Sequence, residues 1–450
     1  MATPGRTPFP AERILGFGLP LVAATGGHAL FNLVDLWVVG GLGPAAIAAV
    51  TVASLVNGVP MVLMQGVTDG SVAVVSRACG EGDIPKAGAA ARQSILFALL
   101  LGILLGLPPY LGARPLAAAF GAEGQALDQG AACLEVLSIG SVTMFILMQA
   151  AASLRAAGSS RAPAFLLLGA NSLNLVLALG LVYGKFGLPA WGVVGACWAT
   201  VIARGVFAAA GLVLLSRSSL GLRWRGPGLR AGAVGTLLRL GLPVAGQWMV
   251  RLVPILLVLR ICGRLGTEAQ AAYGIASRLD QLAAFATIGW GAAAATAVGQ
   301  GLGSRDPAGA ARAAWRAALY GVATMAIAGV AFAVFAPDLV RLIGREDGAR
   351  PEVVAFAAGY LRVFAWGYPA LGLALVLSLA LSGAGSVKTA LVLEGFFLVG
   401  VQVPLALALA PVRGGDLASP LWWSLVGVFL ALGAAYAGVF AWGRWKAKRI

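Results

Sequence analysis

From Leu15 to Asp35 the chain reads LGFGLPLVAATGGHALFNLVD, with no charge until its last residue. A helix that crosses the hydrocarbon of a bilayer needs about 20 apolar residues. This run is the first of twelve such segments, at 14–39, 48–76, 93–111, 132–155, 164–183, 190–215, 236–262, 272–300, 313–336, 353–381, 387–411 and 419–442. Lipid offers the backbone no hydrogen-bond partner, so segments of this length are expected to be helices. The predicted fold is therefore all-α: a polytopic membrane protein with twelve transmembrane helices. Composition agrees, since 11% of the 450 residues are charged, against about a quarter in soluble domains.

The same numbers exclude other classes. The formal charge of +15 sits at the ends of apolar runs, which is the positive-inside pattern of membrane proteins and not a stripe for nucleic acid. The four cysteines are scattered singly with no CxxC spacing, so metal and disulfide frameworks both fail. One histidine cannot build a Ser/His/Asp arrangement, and no P-loop is present, so no enzyme is expected. A cleaved signal peptide is not expected either, because the first apolar run is long and leads directly into a second. Twenty basic residues fall at the termini and in the even-numbered connections, against seven on the opposite side. That bias predicts both termini in the cytoplasm.

The chain also repeats itself. LGFGLP at 15–20 matches LRLGLP at 238–243 at a shift of 223, and the same shift pairs Leu42-Gly43 with Leu265-Gly266, Ala53-Ser54 with Ala276-Ser277, and Asp83 with Asp306. A shift of 227 then pairs Gly140 with Gly367 and Ala157-Gly158 with Ala384-Gly385. Two parallel six-helix repeats are predicted: an N-terminal lobe at 1–216, a basic cytoplasmic linker at 217–235 and a C-terminal lobe at 236–450. Such duplications carry substrate sites at the repeat interface in alternating-access transporters.

Asp35 is the first candidate functional residue. An aspartate at a helix centre costs about 2.5–3.5 kcal/mol to insert, so it is rarely kept without a task. His28 and Asn32 precede it by seven and three residues, which puts all three on one helical face. Pro20 supplies a place for the helix to bend. Protonation of Asp35 would remove a charge and bias helix 1 between straight and bent forms. Asp69, Glu135, Asp280 and Glu394 also lie within apolar segments, and acids prevail in the first half where arginines prevail in the second. Arg251 reads either as an anion-friendly spot that widens the cargo to zwitterions and acids, or as a residue paired with Asp280. Met64, like Met61, Met144 and Met148, reads either as the lining of an adaptable cavity or as core filling.

On these residues the chain resembles the multidrug and toxic compound extrusion (MATE) family over nearly its whole length. The likeness is carried by Gly18-Leu19-Pro20, VDLWVVGGLGPAAIAAV (34–50), SRACGEGDIPKA (76–87), LRAAGSSRAP (154–163), Asn174, GVVGACWAT (192–200), the second GLP (241–243), VGQGLGSRD (298–306) and LSGAGS (381–386). The resemblance implies a V-shaped pair of lobes that exports small, often cationic, lipophilic molecules across the cytoplasmic membrane in exchange for H+ or Na+. It implies no cofactor beyond that ion, no nucleic-acid partner and a monomer in the bilayer. Asp35 matches the family's functional acid, with Asn174 and Thr200 as its polar neighbours and Pro20 as hinge. The substrate cavity is assigned His28, Asn32, Met64, Gln65, Arg251 and Asp280. Some members carry an acid or amide where Ala178 stands, and many carry a glutamate where Arg251 stands; helix 10 holds Arg362 and no acid. These departures favour proton coupling, as in the DinF-like branch, and leave a sodium site open only in the first lobe. A lipid-linked oligosaccharide flippase of the same superfamily is the alternative; such proteins usually have two further helices and arginines in the cavity of the first half.

Overall fold

The computed structural model describes residues 9–448 apart from 221, 223–225, 227, 345–349 and 410–417; the side chains of 32, 33, 35–37, 44, 418 and 419 also lie outside the description. Among the described residues the secondary structure is helical throughout, with no strand. The helices are α1 (Ile14–Gly40), α2 (Pro44–Glu81), α3 (Ile84–Leu111), α4 (Ala113–Ala119), α5 (Gly124–Ile139), α6 (Ser141–Ala156), α7 (Arg161–Tyr183) and α8 (Gly192–Arg217). The second repeat supplies α9 (Ala231–Leu265), α10 (Thr267–Gly303), α11 (Pro307–Val334), α12 (Ala336–Gly344), α13 (Pro351–Phe364) and α14 (Tyr368–Gly383). It ends with α15 (Val387–Glu394), α16 (Gln402–Leu409) and α17 (Ala418–Trp442). Among the described residues ten helical stretches are long and apolar enough to cross a membrane, and the number is twelve if each of two bent pairs, α5 with α6 and α13 with α14, is one span.

Those bent pairs are the fourth and tenth predicted spans, read from the sequence as single helices. They turn by 44° and 62° at the repeat-related Gly140 and Gly367. Hydropathy does not register the bend because both arms are equally apolar. The eleventh span holds a second departure: a π-helical turn at Gly395–Val401 joins α15 to α16. The short helices α4 and α12 also went unforeseen; they follow α3 and α11 at equivalent places in the two repeats.

The repeat matches have local causes. Asp83 caps α3 by accepting from the Lys86 backbone N–H at 3.0 Å, and Asp306 caps α11 by accepting from Gly309 N–H at 2.7 Å. The residue before each cap is left-handed, Gly82 at φ +76° and Arg305 at φ +64°. Only the first copy uses the residue that adopts this conformation without steric cost.

The compact units do not divide at the linker. One unit spans Ala23–Ala245; the other comprises Pro8–Val22 and Gly246–Ile450. The expected lobes at 1–216 and 236–450 would have kept helices 1 and 7 whole. Instead each of these helices changes unit just past its proline, Pro20 in α1 and Pro243 in α9. Glycines permit the arrangement. In the first unit a Cβ on Gly66 of α2 would stand 2.6 Å from the Ala245 nitrogen of α9, and in the second a Cβ on Gly289 of α10 would stand 2.6 Å from Val22 Cα of α1. Gly66 and Gly289 are repeat equivalents, and Gly66 opens the small-residue pattern GVTDG that lets membrane helices approach closely. Gly66→Val should lower unfolding stability by about 1–3 kcal/mol or more, because the clash is with backbone that no rotamer relieves. Thermal unfolding of the detergent-solubilised variant checks this; an unchanged midpoint would show that α2 and α9 separate freely.

Candidate functional site

In the first unit a small pocket lies among α1, α6, α7 and α8. His28 enters it from α1, Met144, Leu147 and Met148 from α6, Leu167, Ala170, Asn171 and Asn174 from α7, and Thr200 and Arg204 from α8. The polar groups are arranged in pairs. The Thr200 hydroxyl donates to Asn174 Oδ1 at 3.2 Å and to the Ala196 carbonyl at 3.1 Å. His28 Nδ1 stands 3.5 Å from Asn171 Oδ1, and Arg204 Nη1 stands 3.3 Å from the Met144 sulfur. Methionine sulfur and apolar wall make up the rest, which suits an adaptable pocket.

Sequence reasoning had placed Asn174, Thr200 and His28 at the site, and all three line this cavity. It missed Asn171 and Arg204 as wall residues. The signal was available: Asn171 lies three residues before Asn174 and Arg204 four residues after Thr200, on the same faces of helices that are otherwise apolar. Asp35 and Asn32 were also assigned to the site, and their side chains lie outside the described residues. Met64 and Gln65 do not line the cavity. Met64 is buried in a cluster with Ala98, Met144 and Phe145, the core-filling alternative. Gln65 Nε2 donates to Asp69 at 3.0 Å, and Arg155 pairs with the same carboxylate at 3.8 Å.

Arg251 and Asp280 belong to the second unit and do not meet. The alternative reading, a structurally paired Arg251, holds with a different acid from Asp280: Arg251 makes a two-pronged contact with Glu394, Nη2 to Oε1 at 2.6 Å and Nε to Oε2 at 3.0 Å. Ser378 and Tyr436 donate hydroxyls to the same carboxylate at 3.0 and 2.9 Å, and Trp248 stacks under the guanidinium at 4.9 Å. Glu394 is 2% exposed. An arginine whose fork is committed in this way has its charge neutralised. The reading of Arg251 as a free anion site therefore does not hold in this structure. The repeat explains what the pair replaces. Arg251 is the counterpart of His28 at a shift of 223, and Glu394 of Leu167 at a shift of 227. Two positions that border the cavity in the first unit are filled by an ion pair in the second.

Among the described residues, no three His, Cys, Asp or Glu side chains converge as a metal site, and the four cysteines are free thiols.

The family model MatE matches residues 20–179 and again 243–408. A probable multidrug resistance protein NorM of Xanthomonas campestris is 29% identical over 429 residues, covering 90% of this chain and 89% of that protein. Another protein of that description, from Thermotoga maritima, is 24% identical over 401 residues, covering 88% and 84%. Among solved structures, a mutant of the Vibrio cholerae MATE transporter VcmN superposes with a TM-score of 0.88 at 20% identity, covering 96% of each chain. A MOP superfamily transporter of Pyrococcus furiosus, described as having a binding pocket of reversed polarity, gives 0.88 at 21% identity, covering 97% of this chain and 95% of that one. The duplicated family match falls on the two repeats seen in the sequence, and the chain belongs to the MATE family of multi-pass membrane transporters, which are not enzymes.

Proposed function

We propose that this protein is a proton-coupled antiporter that exports small, lipophilic, often cationic compounds across the cytoplasmic membrane, with both termini on the cytoplasmic side and the monomer as working unit. Multidrug resistance proteins as its relatives support the cargo class. The observation that carries the reading is the asymmetry between the units. The first keeps an adaptable cavity lined by His28, Asn171, Asn174, Thr200 and Arg204, and Asp35 follows His28 by two turns of the continuous helix α1. The equivalent positions of the second unit are closed by the Arg251–Glu394 pair.

The chemistry follows from charge. Asp35 when ionised adds a negative charge to this unit and favours a cationic cargo; Asp35 when protonated withdraws that charge and the attraction is lost. Proton and cargo thus compete for the same state of the site, which is the condition for exchange. A bare sodium ion prefers several oxygen ligands, whereas this wall offers an arginine, a histidine and thioethers beside its amides and hydroxyl. That set favours the proton over sodium.

The test is efflux from proteoliposomes holding the full chain, with a cationic or an anionic dye, under an imposed pH gradient or an imposed sodium gradient. Cationic dye should move under the pH gradient at least tenfold faster than under the sodium gradient. Faster movement under sodium would replace the coupling ion, and movement under neither would overturn the antiport reading.

A further inference from the structure

In the second unit Asp280 of α10 is held by two phenols from the two arms of the broken tenth span. Tyr360 of α13 donates its hydroxyl to Asp280 Oδ2 at 2.6 Å, and Tyr368 of α14 donates to Asp280 Oδ1. The arms meet at 62° through a turn at 365–367. Both tyrosines are buried, and Asp280 is half-buried as a residue. Among the described residues no lysine or arginine lies within ion-pair distance of Asp280. The titratable groups of the surrounding core are Tyr273 on the same helix and Cys262 on α9, while Arg278, Arg260 and Arg362 are solvent- or lipid-facing at the exterior.

The first unit supplies a control. Its fourth span breaks at the equivalent Gly140 with a bend of 44°. The counterparts of Asp280, Tyr360 and Tyr368 there are Asn57, Cys133 and Ser141. Asn57 donates to the Ala53 carbonyl of its own helix, and Ser141 donates to backbone carbonyls at Gly102 and Ser138. A broken span in this fold therefore does not require an acid clasped by phenols.

The hydrogen inventory gives the clasp its chemistry. An ionised carboxylate accepts both phenolic hydrogens, one on each oxygen, and all polar atoms are satisfied. A proton added to the acid makes three hydrogens for the same three groups, so one must point elsewhere. Among the described residues the hydrogen bond that each of these phenols makes is the one to Asp280. Protonation then leaves one phenolic hydrogen without an acceptor in the clasp, which weakens the tie between α10 and one of the two arms.

We propose that Asp280 is a second proton-binding carboxyl of this transporter, separate from Asp35, and that its protonation weakens its hold on one tyrosine and changes the bend between α13 and α14. The elbow is built to transmit the change. Tyr368 packs edge-on against Phe332 at 6.0 Å and Phe364 at 5.2 Å, and a Cβ on Gly329 of α11 would come within 2.9 Å of the Tyr368 ring. A shift of this ring is felt at once by α11 and by the end of α13.

Infrared difference spectra of the purified full chain in lipid, recorded as pH changes, read protonated carboxyl groups directly. Wild type and Asp35→Asn should both show a titrating carboxyl band that Asp280→Asn lacks. Tyr360→Phe and Tyr368→Phe, which keep the acid and the ring packing, should each displace the midpoint of that band by about one pH unit, a tenfold change in proton affinity. Amide hydrogen exchange at 365–367 should change across the same midpoint in wild type and not in Asp280→Asn. Persistence of that band in the Asp35→Asn, Asp280→Asn double variant, where Asp35 no longer contributes, or a midpoint that neither phenylalanine variant moves, overturns the proposal. The first-unit reading stands or falls separately, since Asp35→Asn is expected to end pH-driven efflux with the Asp280 band intact.

Discussion

Asp35→Asn should insert and fold as wild type does and lose pH-driven efflux of a cationic dye to the level of empty liposomes. Insertion is spared because the change removes a charge that is itself expensive in a helix centre, by about 2.5–3.5 kcal/mol. Transport is lost because asparagine holds one charge state at every pH, so the unit no longer alternates between attracting and releasing a cation. Asp35→Glu keeps the titrating group and should keep part of the activity, displaced by one methylene. The comparison needs both variants at matched protein density, with dye efflux read after a pH jump. Efflux by Asp35→Asn at the wild-type rate would remove Asp35 from the mechanism and direct attention to the other membrane carboxyls.

Much of this organisation was written in local sequence. Twelve apolar runs set the spans, and the shift of 223 residues exposed the duplication because caps such as Asp83 and Asp306 and close contacts such as Gly66 and Gly289 recur wherever the fold recurs. Asn174 and Thr200 were legible only through the family resemblance, as polar neighbours of Asp35, and their bond to each other is a finding of the structure. What stayed hidden was long-range. Arg251 and Glu394 are 143 residues apart in the chain, and nothing local to either names the other. Asp280 stood out as an acid in an apolar run, but its phenols lie 80 and 88 residues away and look, in sequence, like ordinary interfacial tyrosines. The exchange of half-helices at Pro20 and Pro243 is invisible for a related reason. A proline marks where a helix yields, not which neighbours each half will choose.

Arg251→Ala should lower the unfolding stability of the protein by about 3–5 kcal/mol, one of the largest effects of any single side chain in the second unit. The cost comes less from the lost attraction than from what remains: Glu394, 2% exposed, buried without its countercharge. Ser378 and Tyr436 continue to donate to it, and two neutral hydrogen bonds do not replace a bidentate guanidinium. Glu394→Gln should cost less, because Arg251 is 16% exposed and keeps Trp248 beneath it. The double variant Arg251→Met, Glu394→Leu removes both charges and fills the volume with apolar groups, so it should recover most of the loss. Equilibrium unfolding in mixed micelles of wild type, Arg251→Met, Glu394→Leu and the double variant completes a cycle, and the coupling between the two single changes is the decisive quantity. A coupling near zero would mean that the pair does not hold α9 to α15. A large coupling, with dye efflux retained in the double variant, would assign the pair to structure: the second unit closes with charge the positions that the first unit leaves open for cargo.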